Sequence, residues 1–132
     1  MKMVDSDALT LVEVVDEAFE NSKAHGFYDS ATAIKAGWLN EKDTQTLNRM
    51  EIAEKLALIH SEVSEALECL RNQAMHTALR ADGKPEGLPS ELADVVIRVA
   101  DLCGLLGIDL NKEVATKMRY NLTRPYKHGK TL

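Results

Sequence analysis

The chain is short of the aromatic residues, closely paired cysteines and long apolar runs that sheets, disulfide frameworks and membrane spans require. Aromatic residues make up 5% of it and there are only three prolines, against 45% apolar residues overall, a balance that favours helices over sheet. Cys69 and Cys103 are isolated on apolar stretches, outside any Cys-x-x-Cys arrangement, and no signal peptide is apparent. They read as reduced packing cysteines of a cytoplasmic protein rather than as a disulfide pair. No apolar run approaches the roughly 20 residues that span a bilayer, so no membrane partner is expected. The residues three before His25, His60, His76 and His128 are Ser22, Ala57, Gln73 and Pro125, which removes the Glu-x-x-His pairs of di-iron helical proteins. A basic excess is missing as well: the net charge of −5 argues against a binder of nucleic-acid polymers.

What remains is the pattern of a single helical domain over residues 1–132, long enough to bury a core without disulfides or structural metal. A first amphipathic helix is expected from about Asp7 to Lys23, with Ala8, Leu11, Val12, Val15 and Phe19 on one stripe and Asp5 or Ser6 as its cap. The pattern lapses from about Ala24 to Leu47, apart from a short helix near Ser30 to Ala36, and this stretch holds Phe27, Tyr28 and the only tryptophan, Trp38. Such a segment in a compact domain is either functional or disordered, and its aromatics serve as core plugs or as a stacking surface.

From Asn48 to about Asn72, Ile52, Leu56, Ile59, Val63, Leu67 and Leu70 recur at the spacing of one buried helical stripe, and Asn48 with Glu51 forms a capping-box pattern. Gly83, Pro85, Gly87 and Pro89 then break a polar stretch and let the chain turn back. The next helix, about Ser90 to Leu106, is apolar around almost its whole circumference, as in a buried helix. Gly107 looks like its stop, and Asp109 caps a last helix from Leu110 to about Asn121, with Arg124-Pro125 preventing continuation.

Two carboxylate pairs stand out on the middle helices. Glu62 and Glu65 are one turn apart, and Glu91 and Asp94 repeat the spacing on the helix that would return antiparallel to the first. Glu91, Asp94, Arg98 and Asp101 fall in one sector of about 80° on an otherwise apolar helix. A polar stripe there reads as the lining of a cavity, because buried charges persist only when paired, hydrogen-bonded or metal-bound. Four carboxylates facing one another call for a cation between them. Arg98 is expected to act as an internal counter-ion for Asp101, which is alternatively an outer partner of a metal ligand. From Lys112 onward the sign reverses, with Lys112, Lys117, Arg119, Arg124, Lys127 and Lys130 against Glu113 alone. Beside a carboxylate–metal centre such cations suit a polyphosphate.

The run from Glu54 to Glu68, EKLALIHSEVSEALE, followed by ELADVVIR at Glu91 to Arg98, Gly-Ile-Asp-Leu from Gly107 to Leu110, and Lys117 with Asn121, resembles the MazG-like nucleotide pyrophosphohydrolases of the all-α nucleoside triphosphate pyrophosphatase superfamily. The likeness covers roughly residues 50 to 126. It implies an all-α, four-helix-bundle-like MazG-type domain, oligomeric as a homodimer or homotetramer, and an enzyme that hydrolyses the α–β phosphoanhydride of (deoxy)nucleoside triphosphates to monophosphate and pyrophosphate. The cofactor it implies is Mg²⁺, with Mn²⁺ as a substitute.

By matching motif positions, Glu62, Glu65, Glu91 and Asp94 would hold the metal, and Glu62 or Glu65 would also orient or deprotonate the attacking water. Lys117 and Asn121 would contact phosphate and nucleoside, with Arg124, His60 and Trp38 as further substrate contacts. Cleansing of the nucleotide pool and removal of a signalling nucleotide are both roles the resemblance allows. A different class of function is a non-catalytic helical interaction module that uses the acidic stripe to bind a partner; it would require neither Mg²⁺ nor nucleotide turnover.

Overall fold

The computed structural model describes residues 9–28 and 40–125, and these are mostly helical. Among the described residues four helices follow in order: α1 (Leu11–Ala24), α2 (Glu41–Arg71), α3 (Leu88–Leu106) and α4 (Leu110–Leu122). Between α2 and α3 lies a small antiparallel hairpin, β1 (Ala78–Leu79) and β2 (Pro85–Glu86), which pairs Ala78 with Glu86 and Leu79 with Pro85. The sequence pattern places only a polar break there, since strands of two residues are too short to show alternation. The expected helix near Ser30 to Ala36 lies outside the described residues.

The boundaries of the first two helices differ from those expected. Helix α1 starts later than Asp7, because Thr10 forms a reciprocal capping box with Glu13: each side chain accepts from the other's backbone amide. Helix α2 starts seven residues earlier than Asn48. Asn40 is its cap, accepting from the Asp43 amide, and Asn48 with Glu51 is interior. Helices α3 and α4 lie within two residues of their expected positions: Pro89 is in the first turn of α3, Asp109 caps α4, and Gly107 ends α3 in the left-handed conformation at φ 65°.

Helix α3 is the centre of the packing. It lies against α1 on one side and α2 on another, while α4 packs on α1. The buried side chains gather along these contacts: Ala18 of α1, Ala66 of α2, Ala100, Leu102 and Cys103 of α3, and Tyr28 in the turn after α1. Close approach of α1 to α3 depends on Gly104, where a Cβ atom would lie 2.6 Å from Cβ of Phe19. The face of α3 that neither helix covers leaves Leu92, Val96 and Ile97 about half exposed, so the expected burial of this helix all round is met only toward its C-terminal half.

Helix α2 is rotated from its expected orientation. Its α3-facing stripe is Lys55, Ile59, Glu62, Ala66 and Cys69, all buried or half-buried. The apolar stripe read from the sequence sits about a quarter turn away. Leu56, Val63, Leu67 and Leu70 on it are exposed, between 48% and 54%. The periodicity is real, but its apolar side is not the one this chain buries.

Candidate metal centre

The stripe that α2 turns toward α3 is charged at two levels, and α3 answers at both. At the first level, Lys55 Nζ lies 3.3 Å from Asp101 Oδ2, with both side chains only 14% exposed. The Tyr28 hydroxyl donates to the other oxygen of Asp101, at 2.5 Å, and Lys55 Nζ sits 4.4 Å from the Tyr28 ring centroid. Tyr28 in turn tilts against Phe19 with centroids 5.4 Å apart, so it is a core plug that ties the end of α1 to both other helices. Burial and the Asp101 carboxylate push the Tyr28 hydroxyl far above the usual phenol range and keep it protonated.

One level along, Arg98 Nε donates to Glu62 Oε1 at 2.5 Å. Glu62 is the buried carboxylate of the described residues, 6% exposed. This corrects the expected pairing of Arg98 with Asp101: Arg98 reaches across to α2, and Asp101 is held by Lys55 and Tyr28 instead. Among the described residues no buried side-chain nitrogen or oxygen lacks a hydrogen-bond partner.

Beyond Arg98, three carboxylates converge. One oxygen each from Glu62, Glu65 and Glu91 lie within 4.8 Å of one another, Glu62 buried, Glu91 half-buried and Glu65 exposed. Glu62 and Glu65 come from successive turns of α2, and Glu91 from the first turn of α3, whose amide dipoles favour an anion. Partial burial nevertheless raises Glu91 above the usual carboxylate range, and the charges of Glu65, Asp94 and Glu62 raise it further, against a smaller opposing effect of Lys84. Asp94, the fourth expected ligand, is half-buried and outside the three-oxygen group, but near enough for its charge to act on Glu91. Three hard oxygen donors this close, with a single guanidinium among them, form a set able to hold a metal ion.

The other expected site residues are placed elsewhere. His60 is exposed, about 200° around α2 from Glu62. Lys117 and Asn121 are exposed on α4, where Lys117 Nζ lies 5.8 Å from the Tyr120 ring centroid, and Arg124 follows the helix end, also exposed. Helix α4 packs on α1 rather than beside the carboxylates. Trp38 lies outside the described residues. Two partners were missed from the sequence, Lys55 for Asp101 and Arg98 for Glu62. Their signal is the antiparallel register: as α2 advances through 55, 62 and 65, α3 retreats through 101, 98 and 91.

Next to this ladder, Ser22, Phe27, Lys55, Leu58, Arg98 and Asp101 line a cleft of about 70 Å³. Phe27 stands 69% exposed at its edge, unlike its neighbour Tyr28. Cys69 and Cys103 are both free, Cys103 buried and Cys69 half-buried. No helix of the described residues is long and apolar enough to cross a membrane. Comparison with protein-family models, with curated proteins and with solved structures finds no match.

Proposed function

We propose that the protein is a Mg²⁺-dependent nucleoside triphosphate pyrophosphohydrolase of MazG type, cleaving the α–β phosphoanhydride to give a monophosphate and pyrophosphate. The observation that carries this reading is the convergence of Glu62, Glu65 and Glu91 from two facing helices, in the order and spacing of the family motif. Their chemistry fits Mg²⁺, which takes carboxylate, water and phosphate oxygens. When bound, the ion supplies charge neutralisation for the phosphates and acidifies a water.

The chain's own residues divide the remaining work. Glu62 is buried, and bonded to Arg98 where no ion is present, so it is suited to holding rather than to proton transfer. Glu65 is exposed and has no such partner among the described residues, so it is the carboxylate to orient and deprotonate the attacking water. The water oxygen bonds to the α-phosphorus, the bond from that phosphorus to the bridging oxygen breaks, and pyrophosphate leaves with the electron pair. Asp94 adds negative charge beside Glu91.

The assembly is proposed to be a homodimer or homotetramer, supported by the uncovered apolar stripe of α2 and the half-exposed Leu92, Val96 and Ile97 of α3. The same surface favours the second reading, a helical interaction module. Turnover separates the two. Purified protein is incubated with each nucleoside and deoxynucleoside triphosphate, with and without Mg²⁺, beside Glu65→Gln and Glu91→Gln, and the products are read by phosphorus NMR. Monophosphate and pyrophosphate, lost in both variants, are expected; no turnover of any triphosphate would leave the interaction module.

A further inference from the structure

Arg98 is where the acidic centre and the neighbouring cleft meet. Its Nε holds Glu62, and its side chain, 40% exposed, also lines the cleft with Lys55, Phe27 and Asp101. A carboxylate as buried as Glu62 is costly without a cation, and here the cation comes from the protein itself. The guanidinium and a divalent ion therefore claim the same carboxylate. Their positive charges also repel at the short range that the 4.8 Å cluster imposes.

We propose that Arg98 is an internal competitor for the metal: it neutralises Glu62 in the metal-free protein, and a divalent ion displaces it toward the cleft. This inference rests on reading the three glutamates as a metal centre. It assigns Arg98 a positioning role rather than a place among the metal's ligands, and it orders the binding events. Without the ion, the guanidinium is held by Glu62. With the ion bound, the guanidinium is released beside Lys55, where an anionic ligand finds a second cation. Asp101 offers it a weaker hold than Glu62, because Tyr28 already donates to one of its oxygens and Lys55 pairs with the other.

The sign of one measurement tests this. Mg²⁺ alone is titrated calorimetrically into the full chain, without nucleotide, for the wild type, Arg98→Gln, Arg98→Lys and Glu62→Gln. Removing the competitor should tighten Mg²⁺ binding in Arg98→Gln by about tenfold, a coupling of ordinary size between two sites. Arg98→Lys, which keeps the charge, should stay close to the wild type, and Glu62→Gln should bind weakly. Unchanged or weaker binding in Arg98→Gln, with the wild type binding normally, would overturn the proposal and leave the metal centre standing. Binding by neither protein would overturn the centre and the proposal together. Should Arg98→Gln fail to fold, the wild type supplies its own test: the Arg98 Nε–Hε resonance should shift and exchange faster on saturation with Mg²⁺, and a resonance unmoved in protein that has bound the ion would refute displacement.

Discussion

Arg98 on α3 closes on Glu62 on α2 through its Nε, so the most buried carboxylate of the three-glutamate group is neutralised from the opposite helix. Truncating Arg98 leaves the Glu62 charge buried and alone, which costs far more than the pair itself contributes, whereas Arg98 is 40% exposed and can turn to water when Glu62 is removed. The charged ladder between α2 and α3 is therefore both a packing surface and a candidate site, and variants in it must be read for both.

Glu91 gives the metal-free protein a pH dependence of defined sign. Its carboxyl is raised in the folded chain, so the native state binds its proton at a higher pH than the unfolded state does. Stability should fall as pH rises through the raised value, with the full penalty present above it. In EDTA at neutral pH, Glu91→Gln should melt above the wild type, and this gap should close as the pH is lowered through the raised value. On the proposed reading of the three glutamates as a metal centre, saturating Mg²⁺ should reverse the order, because only the wild type keeps all three carboxylates. Scanning calorimetry at several pH values, with and without the ion, reads all of these.

Tyr28→Phe removes the hydroxyl that donates to Asp101 while leaving the ring against Phe19. A hydrogen bond to a charged group in this setting is worth about 1.5–3 kcal/mol, and urea unfolding of the variant should show a loss in that range.

Gly104→Ala places a methyl group where Phe19 already stands, 2.6 Å from its Cβ. Because that atom is anchored to the α1 backbone, the two helices must separate rather than a side chain turn aside. Overpacking of this kind costs about 1–3 kcal/mol, which urea titration should reveal as a lower midpoint with an unchanged slope.

Val63→Glu and Leu67→Glu place charge on the α2 stripe that the chain leaves half exposed. Each should leave the melting of an isolated chain little changed and dissociate the proposed homo-oligomer, read as a drop in sedimentation coefficient at micromolar concentration. Wild-type protein that sediments as a monomer would remove the basis for this prediction.

Much of this arrangement was legible in the sequence, and the misses share a cause. Gly107 and Asp109 fix the α3–α4 junction because stop and cap signals are local. The start of α2 was misplaced because Glu41–Leu47 carries no apolar period, and an interior Asn48 with Glu51 imitates a cap. Spacing brought Glu62, Glu65 and Glu91 together correctly, yet gave Arg98 the wrong acid: Asp101 is three residues away on its own helix, whereas Glu62 is 36 residues away. Periodicity likewise found the apolar stripe of α2 but could not tell a face buried in one chain from a face left uncovered. Both errors concern a neighbouring helix, about which a helix's own pattern carries no information.

The unequal lengths of the two central helices have a dynamic consequence. At about 1.5 Å per residue, the 31 residues of α2 extend about 46 Å and the 19 of α3 about 28 Å. The overhang falls at the N-terminal end, where all of residues 41–50 but Thr44 are exposed. A helical piece of that length is marginal on its own in water, so its amide protons should be the first to trade with solvent. From Lys55 onward the backbone is clamped by α3, and the carboxylates lie on the slow-exchanging side of that boundary. The opening turns of α2 can therefore fray and re-form without disturbing the geometry of the site.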